Sequence, residues 1–243
     1  MKLYENEPVA NAIIGALRKK MTDPSRFEGH FHASDLTRCA RQVILNRQHR
    51  PSPDKPSLLR MALGHALQEW LLGPEDEGVS VVLHQDDCAG EAGCKCDLTV
   101  VFSVDKMVGD DVIEMKSTRM SPARFTTESI TDGKDWTERT RLYCAIHGRK
   151  RAHIVVFFIF AGELRAWTLD FTEKDLAEGL EYARERAALL TKATADKKLP
   201  SVRTRRWAWE CGWCPFYEYF CKDRLVALKL PLPDRVEVPQ ARA

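Results

Sequence analysis

Apolar residues recur at helical spacing near both ends of the chain and alternate with polar ones in its middle. Val9, Ala12, Ile13 and Leu17 share one face of a segment over 8–20, which predicts an amphipathic helix. Ser34 is a good N-cap, so a second helix is expected across 35–47 with Cys39 on its second turn. Pro51-Ser-Pro-Asp-Lys-Pro56 reads as a linker loop before a helix over 57–72. Strands are expected at 79–84, 98–108 and 111–117, and residues 118–133, small and polar, read as a mobile lid beside the last of them. A helix over 134–147 carries Trp136, Arg139 and Tyr143 along one face. Strands at 153–160 and 163–170 turn at Ala161-Gly162, and Thr172 caps a long helix to about 192. Residues 228–243, with three prolines and no periodicity, read as an extended tail. Helices on either side of a run of strands place the chain in the α/β class.

The hairpin at the centre of this pattern carries the candidate chemistry. Val108-Gly-Asp-Asp111 is a turn signal, because Gly109 can take the positive φ that a two-residue turn demands. Pairing Val108 with Asp111 and continuing down the ladder sets Asp105 opposite Glu114, with Cβ atoms ~5 Å apart. Lys116 shares Glu114's face, while Met115 points the other way. Two carboxylates and an ammonium on one face suit a hard divalent cation beside a phosphate. The competing reading is a surface hairpin with a cross-strand salt bridge.

Eight cysteines add a second signal. Cys211-Gly-Trp-Cys214 is followed by Cys221, and Cys39 stands alone near the start. A C-x2-C pair offers two thiolates to one metal, and two more cysteines complete a four-thiolate site that would clip the first part of the fold to the last. Alternatively Cys39 is a packed apolar residue and the C-x2-C a small zinc knuckle or redox pair. His84, Cys88, Cys94 and Cys96 have spacing that would suit a separate Zn²⁺ site, or they form a reduced, exposed loop.

Composition narrows the setting. The chain has 243 residues, a net charge of +2, 44% apolar and 30% charged residues, as expected of an ordinary globular protein. No stretch approaches the ~20 apolar residues of a membrane span, so no membrane partner is expected. The N-terminal residues lack a signal-peptide profile, so a cytoplasmic protein with reduced, metal-binding cysteines is expected. A near-neutral balance means that nucleic-acid affinity must come from local patches. Arg203-Thr-Arg205-Arg206 is one, and it leads into Trp207, Trp209, Trp213, Phe216, Tyr217, Tyr219 and Phe220. Arginines with exposed rings suit single-stranded DNA. Most of these rings are expected to fill a small core around the cysteines, leaving one or two for bases.

In chain order, Ser34-Asp-Leu-Thr-Arg-Cys39-Ala-Arg41, then Asp105 with Glu114-Met-Lys116, then the three late cysteines, resemble a known family. They match the S-x-L-x-x-C-x-R element, the D…E-x-K core and the one-plus-three cysteines of the iron–sulfur branch of RecB-like nucleases in the PD-(D/E)XK superfamily. That branch includes CRISPR-associated RecB-like exonucleases and phage relatives. The likeness covers roughly residues 30–225. It implies a restriction-endonuclease-like core, a mixed central sheet flanked by helices, and a metal-dependent DNA exonuclease acting on single strands or ends. It further implies Mg²⁺ or Mn²⁺ on Asp105, Glu114 and the Met115 carbonyl, with Lys116 and Tyr143 in catalysis. Cys39, Cys211, Cys214 and Cys221 would hold a structural [4Fe–4S] cluster. Arg119, Arg139, Arg203, Arg205 and Arg206 are assigned to DNA. A domain over 31–225 would then follow an N-terminal helix in 1–30 and precede a tail over 226–243. Partners would be DNA and a second copy or recombination, CRISPR or helicase proteins.

Two departures from the family pattern stand out. In Gly64-His-Ala-Leu-Gln-Glu69, Gln68 fills a slot usually held by a metal-binding His, and His65 lies on the same helix face. In the family's Q-x3-Y, Arg139 replaces Gln while Tyr143 remains. A non-catalytic DNA-binding or assembly subunit on the same scaffold is therefore the alternative function. A zinc-ribbon adaptor leaves the hairpin unexplained.

Overall fold

Among the residues described by the computed structural model (7–21, 30–49, 53–73, 78–83, 98–131, 135–202 and 208–229), seven strands form two sheets. In order come α1 (Glu7–Met21), β1 (Phe31–His32), α2 (Ala33–Thr37), α3 (Ala40–His49) and α4 (Lys55–Leu72). β2 (Val79–Leu83), β3 (Leu98–Phe102), β4 (Lys106–Val108) and β5 (Asp111–Thr118) follow. Then come α5 (Glu128–Thr131), α6 (Asp135–Ile146), β6 (Arg151–Phe158), β7 (Glu163–Asp170), α7 (Glu173–Ala195) and α8 (Lys222–Ala227). One sheet has the order β1-β3-β2 and the other β4-β5-β6-β7. β5 and β6 run parallel, with α6 between them in sequence, and the other neighbours in that sheet are antiparallel. This is the mixed α/β architecture expected.

The strand expected over 98–108 is two strands in two sheets. β3 lies between β1 and β2, whereas β4 pairs with β5. The chain crosses at residues 103–105, where the buried Val104 holds it to the core and Asp105 turns its carboxylate onto the Met115 N–H at 2.6 Å. A side chain thus takes the donor that a longer β4 would have paired. The turn itself is as expected: Val108 faces Asp111, and Gly109 has a φ of +60°.

The helix expected over 35–47 is also broken. α2 ends at Thr37 because α7 captures its last carbonyls. Tyr182 donates to the Leu36 oxygen at 3.1 Å, Arg186 Nε donates to the same oxygen at 2.9 Å, and Arg186 Nη2 donates to that of Arg38. Cys39 therefore sits in the break between α2 and α3 rather than on a second helical turn. The segment over 118–133, expected as a mobile lid, carries regular structure among its described residues. It holds a 3₁₀ turn at Pro122–Arg124 and α5, pinned by Phe125 and Ile130, which are buried against Ile154, Val156 and Phe158 of β6. α4 begins two residues early, because Asp54 caps it by accepting from Ser57 N at 2.8 Å and Pro56 suits its first turn. Thr172 caps α7 as expected, with Asp175 completing a capping box.

The main core lies between the first sheet and α2, α3, α6 and α7. Leu36, Val100, Phe102, Leu142, Ala183 and Leu190 are among its buried members. A small separate cluster of Val202, Tyr217 and Leu225 holds the C-terminal segment, with Cys211, Cys214 and Cys221 packed against it.

Candidate active site

β5 carries Glu114 and Lys116 on one face, and α6 lays Arg139 across them. Glu114 is 1% exposed in the sheet interior. Its Oε1 accepts from Lys116 Nζ and from Arg139 Nη2 at 2.7 Å, while its Oε2 is buried with no partner among the described residues. Burial alone would raise the Glu114 pKa, but Arg139 and then Lys116 outweigh it and hold the carboxyl ionised. Lys116 Nζ also donates to the Met115 carbonyl at 2.8 Å and lies 4.0 Å from Asp105 Oδ2. Three oxygens from Asp105, Glu114 and Met115 thus surround one ammonium. The Asp105 carboxyl is pushed up to about 6, first by burial and then by the Glu114 charge.

This donor set fits a divalent cation. The bare Glu114 Oε2 lacks a positive partner, and two close carboxylates plus a carbonyl are the hard oxygen ligands that Mg²⁺ and Mn²⁺ take. Lys116 Nζ occupies the point on which these oxygens converge.

The site opens on a cleft of about 410 Å³ whose lining includes Arg38, His65, Gln68, Lys116, Asp135 and Arg139. α4 thereby brings His65 and Gln68 to the same cleft as the Met115–Ser117 segment. Tyr143, one turn beyond Arg139, is buried, and its phenol is held neutral by burial and by the Glu114 charge. Arg119 is exposed just past β5. Arg203, Arg205 and Arg206 lie outside the described residues, as do His84, Cys88, Cys94 and Cys96. A larger hollow of about 600 Å³, between Phe125–Glu128 and β7, contains none of the expected site residues.

Asp135 and Arg38 were missed from sequence. The i, i+4 spacing of Asp135 and Arg139 on one helix was the available signal, whereas nothing local marks Arg38.

Cys39, Cys211, Cys214 and Cys221 are free thiols that the fold brings together. Burial pushes the Cys214 thiol up to about 12, and the charges of Cys39, Cys221 and Cys211 all add to the shift. Among the described residues no three His, Cys, Asp or Glu side chains are arranged tightly enough to ligate a single ion. Cys214 is within electrostatic reach of the other three thiols, and Cys39 of Cys211. Two side chains join this end to α3. Glu210 Oε1 accepts the Cys39 N–H at 2.9 Å in a buried bond. Arg41, 2% exposed, donates to the Pro200 and Phe220 carbonyls at 2.7 and 2.9 Å. Phe216 and Tyr217 are buried, as expected of rings that fill a small core, and Tyr219 is 87% exposed.

No family model matches the chain, and no curated protein does. Solved structures do. The crystal structure of SSO0001 aligns over 85% of this chain and 95% of its own, at 16% identity and a TM-score of 0.56. The two share a fold. An alkaline exonuclease, LHK-Exo, from Laribacter hongkongensis aligns over 70% of this chain and 95% of its own, at 16% identity and a TM-score of 0.30. LHK-Exo in complex with dAMP covers 70% and 93%, at 15% identity and a TM-score of 0.39. No helix among the described residues is long and apolar enough to cross a membrane.

Proposed function

We propose that this chain is a divalent-metal-dependent DNA exonuclease of the RecB-like type, acting on single strands or DNA ends. The observation that carries the reading is the convergence of Asp105, Glu114 and Met115 oxygens on Lys116 Nζ, with a buried Glu114 oxygen left bare. Asp105, Glu114 and the Met115 carbonyl would hold Mg²⁺ or Mn²⁺. Such an ion supplies Lewis-acid polarisation of a phosphate and a lowered pKa for water. Lys116 would then be released from Glu114 to orient the attacking water and offset charge on the reacting phosphate. Met115 is buried, and its side chain braces the backbone that presents its carbonyl. His65 and Gln68 face the same cleft and would complete the ligand sphere or position substrate. Cys39, Cys211, Cys214 and Cys221 would bind a [4Fe–4S] cluster with a structural role, fixing α3 to the C-terminal segment.

The alternative is a non-catalytic DNA-binding or assembly subunit. Gln68 in the place of a metal-binding His favours it, as does the double cationic hold on Glu114 Oε1. The experiment is nuclease assay of wild type, Glu114→Ala and Lys116→Ala across Mg²⁺ and Mn²⁺ with single- and double-stranded DNA. Cleavage that needs metal, vanishes in both variants and leaves DNA binding intact supports the enzyme. DNA binding by wild type with no cleavage in any condition decides for the subunit.

A further inference from the structure

Glu114 is held by more positive charge than a metal ligand should be. Lys116 and Arg139 share its Oε1. Arg139, meanwhile, is under-used. Its Nη1 lies 3.8 Å from Asp135 Oδ2, too long for a hydrogen bond, and its Nε is buried with no partner among the described residues. A guanidinium offers five donors in a planar fork and stays charged. Among the described residues, Nε and Nη1 of Arg139 therefore lack a good acceptor, beside a cleft that this side chain lines. The acceptor that fits a planar fork is an oxyanion with paired oxygens, and a phosphodiester is one.

We propose that Arg139 gates the metal site: it neutralises Glu114 while the cleft is empty and shifts to a phosphate oxygen when DNA enters, releasing Glu114 to the divalent ion. This rests on the assignment of Asp105, Glu114 and Met115 as metal ligands. The consequence is linkage. In the DNA-free protein the Arg139 charge repels a dication and weakens its binding. DNA draws that charge away, so the metal binds tighter, and the metal tightens DNA by the same factor. Such couplings commonly span ~5–150-fold. The device would keep the hydrolytic centre unassembled until substrate is present. If Arg139 merely braces α6 against β5, its removal changes stability and leaves the coupling untouched.

The test is Mn²⁺ binding, read as loss of the free-ion electron paramagnetic resonance signal, with and without a cleavage-resistant phosphorothioate single strand and with binding to DNA alone subtracted. Wild type should bind Mn²⁺ roughly tenfold or more tighter when DNA is present. Arg139→Gln, which keeps a donor for Glu114 but not the charge, should bind Mn²⁺ roughly tenfold or more tighter than wild type without DNA, and gain little on adding it. Arg139→Lys keeps the charge and should remain weak without DNA. An absence of DNA-induced tightening in wild type overturns the proposal, whether or not the variants fold. So does a DNA-free Mn²⁺ affinity that is unchanged or lower in Arg139→Gln, or raised in Arg139→Lys. Glu114→Gln separates the two levels. If it binds Mn²⁺ as wild type does, the ligand assignment itself fails, whatever Arg139 does.

Discussion

Asp105→Asn should make the metal-free protein more stable while removing activity. The Asp105 carboxyl is pushed from 3.8 to about 6 by burial and by Glu114. A folded-state pKa above the unfolded one means that the native protein binds the extra proton between those values. Stability is therefore full below about pH 4 and falls as the pH rises towards 6. At ~1.4 kcal/mol per pKa unit, the ionised carboxylate costs the fold ~3 kcal/mol above pH 6. Asparagine is neutral and keeps an oxygen for the Met115 N–H that Asp105 now accepts. In chelator at pH 7.5 the variant should therefore melt higher, by up to roughly 6–12 °C for a chain of this size. At pH 4 the two should melt together. Saturating Mn²⁺ should then raise wild type by ~2.7 kcal/mol at a hundred times its Kd, and the variant by much less. Thermal melts at several pH values, with and without metal, read all of this. A variant that is destabilised in chelator at pH 7.5, or a gap that does not change with pH, would refute the electrostatic reasoning.

Cys39→Ala and Cys214→Ala should each lower iron content and protease resistance of anaerobically purified protein together, because either thiolate is one of four. Full iron and full stability in Cys39→Ala would make Cys39 a packing residue. Glu210→Ala should cost about 1–3 kcal/mol by leaving the buried Cys39 N–H unpaired, whereas Glu210→Gln keeps an acceptor, and urea midpoints distinguish them. Equal losses in the two would show that charge, not the hydrogen bond, matters at Glu210. Replacing Arg203, Arg205 and Arg206 with Gln should flatten the salt dependence of single-stranded DNA binding by a slope of roughly 1.4–2.1, for two to three phosphates, without altering the metal requirement. An unchanged slope would remove these arginines from the DNA path.

The hairpin was legible because its determinants are local. A turn with one glycine fixes which residues face each other, and period-two alternation puts Glu114 with Lys116. The capped helix at Thr172 was legible for the same reason. The break at Arg38–Cys39 was not, because it is imposed by Tyr182 and Arg186 from α7, far away in sequence. Nor was the split of the long strand, which depends on Asp105 choosing the Met115 N–H over solvent. The ordered segment around Phe125 and Ile130 looked polar on average, and two apolar residues were enough to pin it. Averages over a window hide single anchors. The cysteine set was readable as a list of ligands, but its neighbours Glu210 and Arg41 became visible only once the ends of the chain met.

That meeting bears on why a structural cluster would serve a hydrolytic enzyme. Arg38 lines the cleft, and the next residue is Cys39. The pair spans the unwound step between α2 and α3, where the Arg38 carbonyl is taken by Arg186 and the Cys39 N–H by Glu210, the residue before Cys211. One wall of the cleft and one corner of the cysteine group are thus consecutive residues at a break between helices, where the Cys39 carbonyl accepts from Val43 N at 3.1 Å to start α3. The C-terminal segment that grips this step has a small core, with Val202, Tyr217 and Leu225 as its buried members. Apolar burial at that scale is worth only a few side chains at ~1.5–3 kcal/mol each, before the entropy of ordering the segment is set against it. A four-thiolate cluster would supply the missing constraint. It would hold Arg38 in register with Lys116 and Arg139 across the cleft, so that the chemistry proposed at β5 would depend on cysteines outside the cleft lining.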